Sequence, residues 1–153
     1  MAIYKGQNTL LNGLVSYWSF NGNANDDWYK NNDGSVDGAT LTNGGILNDC
    51  YYFDGVDDAI RFGTSSDFND TTDFSISIWF KPDTSFTSTD QRFLFKNDGS
   101  PNRSWALIYN RADALNKMQI WHSTTGSDLI RTNSNFTYNE NRWIHIVLVF
   151  NIS

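Results

Sequence analysis

The chain has 153 residues, enough for one domain and too short for two of ordinary size. An aromatic fraction of 16% supplies a packed core despite a hydrophobic fraction of 39%. The abundance of Gly, Asn, Asp, Ser and Thr, poor helix formers and good turn formers, excludes a helical bundle and indicates an all-β chain. The net charge of −6 repels a phosphate backbone or an anionic surface on average, which sets nucleic acid aside as a partner.

No apolar run reaches the ~18 residues of a membrane span, and the start MAIYKGQNTLLNGLVSYW lacks a basic stretch followed by an apolar one. Neither membrane insertion nor an export signal is expected. Residues 1–13 read as an N-terminal extension and 14–153 as the domain. The segment LVSYWSF (14–20) alternates and predicts a strand closed by the turn NGNANDD. Residues 27–49 read as a glycine-rich loop with one short strand at 35–41. CYYFDG (50–55) and AIRF (59–62) predict two short strands joined by the tight acidic turn Asp54-Gly55-Val56-Asp57-Asp58. In DFSISIWFKP (73–82), Phe74, Ile76, Ile78 and Phe80 share one face, Ser75, Ser77 and Trp79 the other, and Pro82 closes the strand. RFLFKN (92–97), SWALIYN (104–110), KMQIWHS (117–123), SDLIRT (127–132) and RWIHIVLVF (142–150) follow. Short strands at this even spacing predict a sandwich or barrel.

Four segments are similar to a known pattern in their order and spacing: GLVSYWSFNGNANDDWYKNNDGSV, CYYFDGVDDAIRF, DFSISIWFKP and NRWIHIVLVFN. They resemble the laminin-G-like, concanavalin-A-like lectin jelly-roll domains, in particular the bacterial and phage branch related to pentraxins. The resemblance covers residues 14–151 and implies an antiparallel β-sandwich. It departs from the pattern at its end, where Ile144 stands in place of the first of two histidines and Asn151-Ile152-Ser153 in place of Asp-Gly. The resemblance therefore implies that the last strands of the family domain are absent, so that the jelly roll is incomplete or completed by another chain.

Catalysis is not expected. The glucanases on this scaffold resemble one another through a Glu-x-Asp-x-x-Glu run that has no match here, and the one glutamate, Glu140, lies in a loop. His122 and His145 lack the companions of a zinc site and read as structural, and no G-x-S-x-G turn presents a serine nucleophile. Cys50 has no partner for a disulfide and reads as a small core residue. Calcium, which takes oxygens from carboxylates, amides and backbone carbonyls in irregular loops, suits two acidic clusters, Asn23-Ala24-Asn25-Asp26-Asp27 and Asp54-Gly55-Val56-Asp57-Asp58, with Asp26, Asp27, Asp57 and Asp58 as the candidate ligands. The resemblance places Asp57 and Asp58 at the calcium pair of pentraxin-like domains.

Alternation assigns Trp18, Phe53, Phe74, Phe80 and Phe150 to the core. Trp28 and Tyr29, in a polar loop with no alternation to bury them, are candidates for stacking on a sugar ring. Trp121 and His122 must face opposite ways, and so must the pair Trp105 and Tyr109 against the pair Ala106 and Ile108; either pair on β-strand 104–110 could be displayed. Trp105, Tyr109 and Trp121 join the candidate ligand-binding residues on that basis. The expected function is a non-catalytic recognition or adhesion module for a glycan or cell-surface ligand, assisted by calcium. The alternative is a structural component of a virion or surface assembly that binds protein subunits completing the sheet. Either role places the chain outside cells, at a cell surface or in a virion.

Overall fold

The computed structural model describes residues 11–68, 73–83, 91–97, 103–111, 114–123, 130–135, 137 and 140–151. Its contacts gather into two compact units, Met1–Thr71 and Thr72–Ser153. Most of the proposed N-terminal extension, residues 1–10, lies outside the described residues.

The first unit holds two antiparallel ribbons. Strand β1 (Ser35–Asp37) pairs with β4 (Ala59–Arg61), and β2 (Thr40–Gly45) pairs with β3 (Asn48–Tyr52). The strands on either side of the acidic turn thus pair away from each other rather than as a hairpin. Gly38, at φ +79°, reverses the chain between β1 and β2 and lies so close to the Asp58 carboxylate that a Cβ there would displace it. Residues 14–20 form no ladder. Their amides are taken by side chains instead: Tyr17 N donates to Asp26 Oδ1 (3.0 Å) and Ser19 N to Asp27 Oδ2 (3.2 Å). Alternation was present, but two aspartates nine and eight residues away supply the acceptors a neighbouring strand would have given. Trp18 packs on Phe62 and Phe68 and donates its indole N–H to Asn32 O (2.9 Å), whereas Phe53, expected in the core, is largely exposed. Cys50 is half-buried.

The second unit is a β-sandwich. Strand β5 (Phe74–Phe80) pairs antiparallel with β10 (Ile144–Phe150), from Phe74↔Phe150 to Phe80↔Ile144. Strands β6 (Gln91–Asn97), β7 (Arg103–Arg111), β8 (Ala114–His122) and β9 (Ile130–Asn133) form a four-stranded antiparallel meander. Every second residue of each sheet turns inward. Phe80, Leu107, Tyr109, Met118, Leu148 and Phe150 make the buried cluster, flanked by Phe74, Ile76, Phe93, Trp105, Ile120, Ile144 and Ile146. Phe74 and Phe150 stack at 4.4 Å, and Phe80 meets Phe93 at 4.5 Å.

Leu107, 1% exposed at the centre of this cluster, carries the packing. Leu107→Ala is expected to lower stability in urea denaturation by about 2 to 5 kcal/mol. Val149→Ala, on the outer face and 77% exposed, should change it by less than about 0.5 kcal/mol.

Candidate functional site

The loop that carries Trp28 and Tyr29 is organised around one buried carboxylate. Asp26 Oδ1 accepts from Tyr17 N (3.0 Å) and Trp28 N (2.9 Å), and Oδ2 accepts from Asn32 N (3.1 Å). Asp26 N in turn donates to Asp33 Oδ1 (2.8 Å), and Gly34 N closes the loop on Ala24 O (2.8 Å). Burial pushes the Asp26 carboxyl up, but these amides, with the Ser16 side chain, outweigh it and hold the group below its ordinary value. Asn32, also buried, donates from its side chain to Ser16 Oγ (2.9 Å) and Asp67 Oδ2 (3.3 Å). Lys30 clamps the far side through an ion pair with Asp67 (2.9 Å), which raises the lysine and lowers the aspartate.

This frame displays Tyr29, 69% exposed, with the Trp28 ring at 5.4 Å and Lys30 Nζ 5.5 Å from its centroid. Trp28 is half-buried, and its indole N–H finds no acceptor among the described residues. The two rings singled out from sequence are thus brought together. What organises them is Asp26, a candidate cation ligand by sequence. Its oxygens point at amides, and Asp27 Oδ2 accepts from Ser19 N and from Ser19 Oγ (2.5 Å).

The second acidic cluster is arranged differently. Carboxylate oxygens of Asp54, Asp57 and Asp58 all lie within 4.8 Å of one another. Asp54 Oδ1 accepts from Val56 N and Asp58 Oδ2 from Asp54 N, both at 2.8 Å, so the turn is closed by its own carboxylates. Cation–oxygen bonds of about 2.3 to 2.6 Å span such a separation, and an all-oxygen set is what a hard cation takes. The sequence offers this whole turn as the second acidic cluster, with Asp57 and Asp58 as its pair, and the structure brings the Asp54 carboxylate beside them.

In the sandwich, the core cluster decides which face of β7 is displayed. Trp105 and Tyr109 turn inward, and Ala106 and Ile108 lie on the other face, although these too are buried. The expectation that Trp105 and Tyr109 meet a ligand is corrected on that ground: Tyr109 is 5% exposed among Phe80, Leu107 and Met118. Burial, with the Glu140 charge, pushes its phenol up. His122 approaches Phe150 on the inner side and Trp121 lies on the outer one, as alternation requires. Trp121 remains half-buried there. On the outer face of β5 and β10, His145 stacks on Trp79 at 4.7 Å and meets Ser77 Oγ at 2.8 Å, a grouping that needed the register to be seen.

Residues 54–153, more than half of the chain, match the family model described as the concanavalin A-like lectin/glucanases superfamily. No curated protein and no solved structure matches the chain.

The Asp26 arrangement has a definite pH signature. A carboxyl held below 3.8 stabilises the fold fully above about pH 5, and that contribution is lost as pH falls through its folded-state value. Asp26→Ala should therefore lower stability by about 1 to 3 kcal/mol at neutral pH. In melts repeated at decreasing pH, the gap to wild type should narrow below about pH 4.

Proposed function

This chain belongs to the concanavalin A-like lectin/glucanases superfamily, and from that premise we propose that it is a non-catalytic binding module that takes a glycan at the loop of residues 24–33. The observation that carries the reading is the display of Tyr29 on a loop immobilised by the buried Asp26 carboxylate. A ring held in place loses little freedom when a sugar face stacks on it, and rigidity of this kind adds affinity without adding contacts. Trp28 supports it by packing its ring against Tyr29, which steadies the displayed ring. Calcium enters at Asp54, Asp57 and Asp58, whose oxygens are spaced for one hard cation; bound there, the ion would neutralise three clustered charges and stiffen the turn. The non-catalytic part of the reading is supported by the acidic groups themselves, since Asp26 is occupied by amides and Asp54 and Asp58 by their own turn.

A second reading is favoured by one specific observation. The outer face of the β5–β10 ribbon presents Trp79, Val147 and Val149, all exposed, with no charged residue between them other than the titratable His145. Such a face suits a protein neighbour, as in a virion or surface assembly. Concentration-dependent light scattering separates the two: a monomer over the accessible range rejects assembly through this face, and a stable oligomer dispersed by Val147→Asp supports it.

Glycan-array screening followed by calorimetry on the best ligand tests the first reading. Tyr29→Ala should weaken binding by about 1 to 3 kcal/mol, and an unchanged affinity removes the loop from the site. For the ion, a thermal melt with calcium and with chelator should differ in wild type, and the difference should disappear in Asp57→Asn/Asp58→Asn.

A further inference from the structure

The face of β8 and β9 turned away from the core cluster, buried at Gln119 and exposed at Arg131 and Asn133, carries a second arrangement that neither the aromatic loop nor the acidic turn uses. Trp121 faces Arg131 and Gln119 faces Asn133 directly across the ladder, so the four side chains form one patch on one face. Gln119 is 2% exposed, and both ends of its amide are engaged. Its Nε2 donates to Asn133 Oδ1 at 2.8 Å, and its Oε1 accepts the Trp121 indole N–H. The indole is thereby fixed, and the Arg131 guanidinium lies over it, with Cζ 4.9 Å from the ring centroid.

Arg131 differs from Lys30 and Arg61, which hold Asp67 and Asp37. It is exposed and faces no carboxylate among the described residues. A guanidinium supported on an aromatic face keeps its N–H edge outward, in the fork geometry that matches a carboxylate bidentately. Asn133, whose oxygen is taken by Gln119, has an amide nitrogen with no acceptor among the described residues, available to donate to a second oxygen. The patch thus offers one positive charge and a neighbouring neutral donor, both held by a buried network. Across the whole chain the net charge is −6, which disfavours a polyanion.

We propose that Arg131 and Asn133 form a binding site on the second unit for the carboxylate of a single acidic sugar residue, such as a uronic acid. Trp121 and Gln119 are positioning residues that hold the guanidinium. This site rests on the reading of the chain as a glycan-binding module and adds a sugar class to that reading. A sulfated polysaccharide fits poorly, since one cation meets many charges.

The test compares a uronate-containing oligosaccharide with its carboxymethyl ester, which is uncharged and nearly isosteric, and with the corresponding neutral oligosaccharide. Affinities are measured by calorimetry on wild type, Arg131→Gln, Arg131→Lys and Tyr29→Ala. The acid should bind more tightly than its ester, and Arg131→Gln should raise its dissociation constant by about 10-fold to 100-fold while leaving the ester unaffected. Arg131→Lys should restore only part of the loss, because an ammonium makes no bidentate pair. Arg131 is exposed, so an unchanged thermal melt verifies the fold of each variant. Equal binding of acid and ester, or an acid affinity unchanged in Arg131→Gln, overturns the site. If the neutral oligosaccharide still binds and loses affinity in Tyr29→Ala, the glycan reading survives that result. If none of the three saccharides binds, both fall. Equal binding of a poly-glutamate peptide to wild type would also overturn the proposal, as general attraction to acids.

Discussion

A β-strand can turn only every second side chain toward a core, and the organisation of the second unit follows from that constraint. Once Phe74, Ile76 and Phe80 of β5 meet Leu107, Tyr109 and Met118 across the sandwich, the residues between them are committed to the opposite face of each sheet, where Ala106, Ile108 and Gln119 are buried as well. Trp79, His145 and the valines then form one outer face, and Trp121, Gln119, Arg131 and Asn133 lie on another. Chemistry and packing are interleaved along the same strands. The first unit solves the same problem differently: where ladders are short, the buried Asp26 and the exposed Asp27 carboxylates accept the backbone amides that strands would have satisfied.

Much of the fold was legible in the sequence because period-two alternation is a local signal. DFSISIWFKP reads as a strand with its faces assigned and RWIHIVLVF as a strand, and β5 and β10 form there with Phe74, Ile76 and Phe80 turned to the core. Alternation failed at residues 14–20, where Asp26 and Asp27 compete for the amides. It also could not say which strands pair. CYYFDG and AIRF look like a hairpin because the turn between them is tight, yet each finds its partner upstream.

The candidate sites were legible in proportion to how local they are. Trp28 and Tyr29 are adjacent in sequence and needed no topology to be noticed. The frame around them depends on Asn32, Ser16 and Asp67, up to 37 residues from the residues they hold, and no spacing rule connects them. Trp121 was visible as an aromatic on a strand, but its fixed orientation comes from Gln119 and Asn133 across a ladder whose register is set by the fold. The face of β7 illustrates the same limit: both alternatives are consistent with alternation, and the packing of Tyr109 against Phe80 decides between them.

A module that recognises glycans through a rigid displayed ring makes one demand above all, namely that the ligand be felt at Trp28 and not in the core. The six tryptophan indole N–H groups report this directly in a two-dimensional nitrogen–proton NMR titration with the oligosaccharide selected by array. The account predicts that the Trp28 signal moves saturably while that of Trp105, packed with Phe74 and Phe150 in the sandwich, stays in place. A saturable titration in which the Trp28 signal does not move would contradict it.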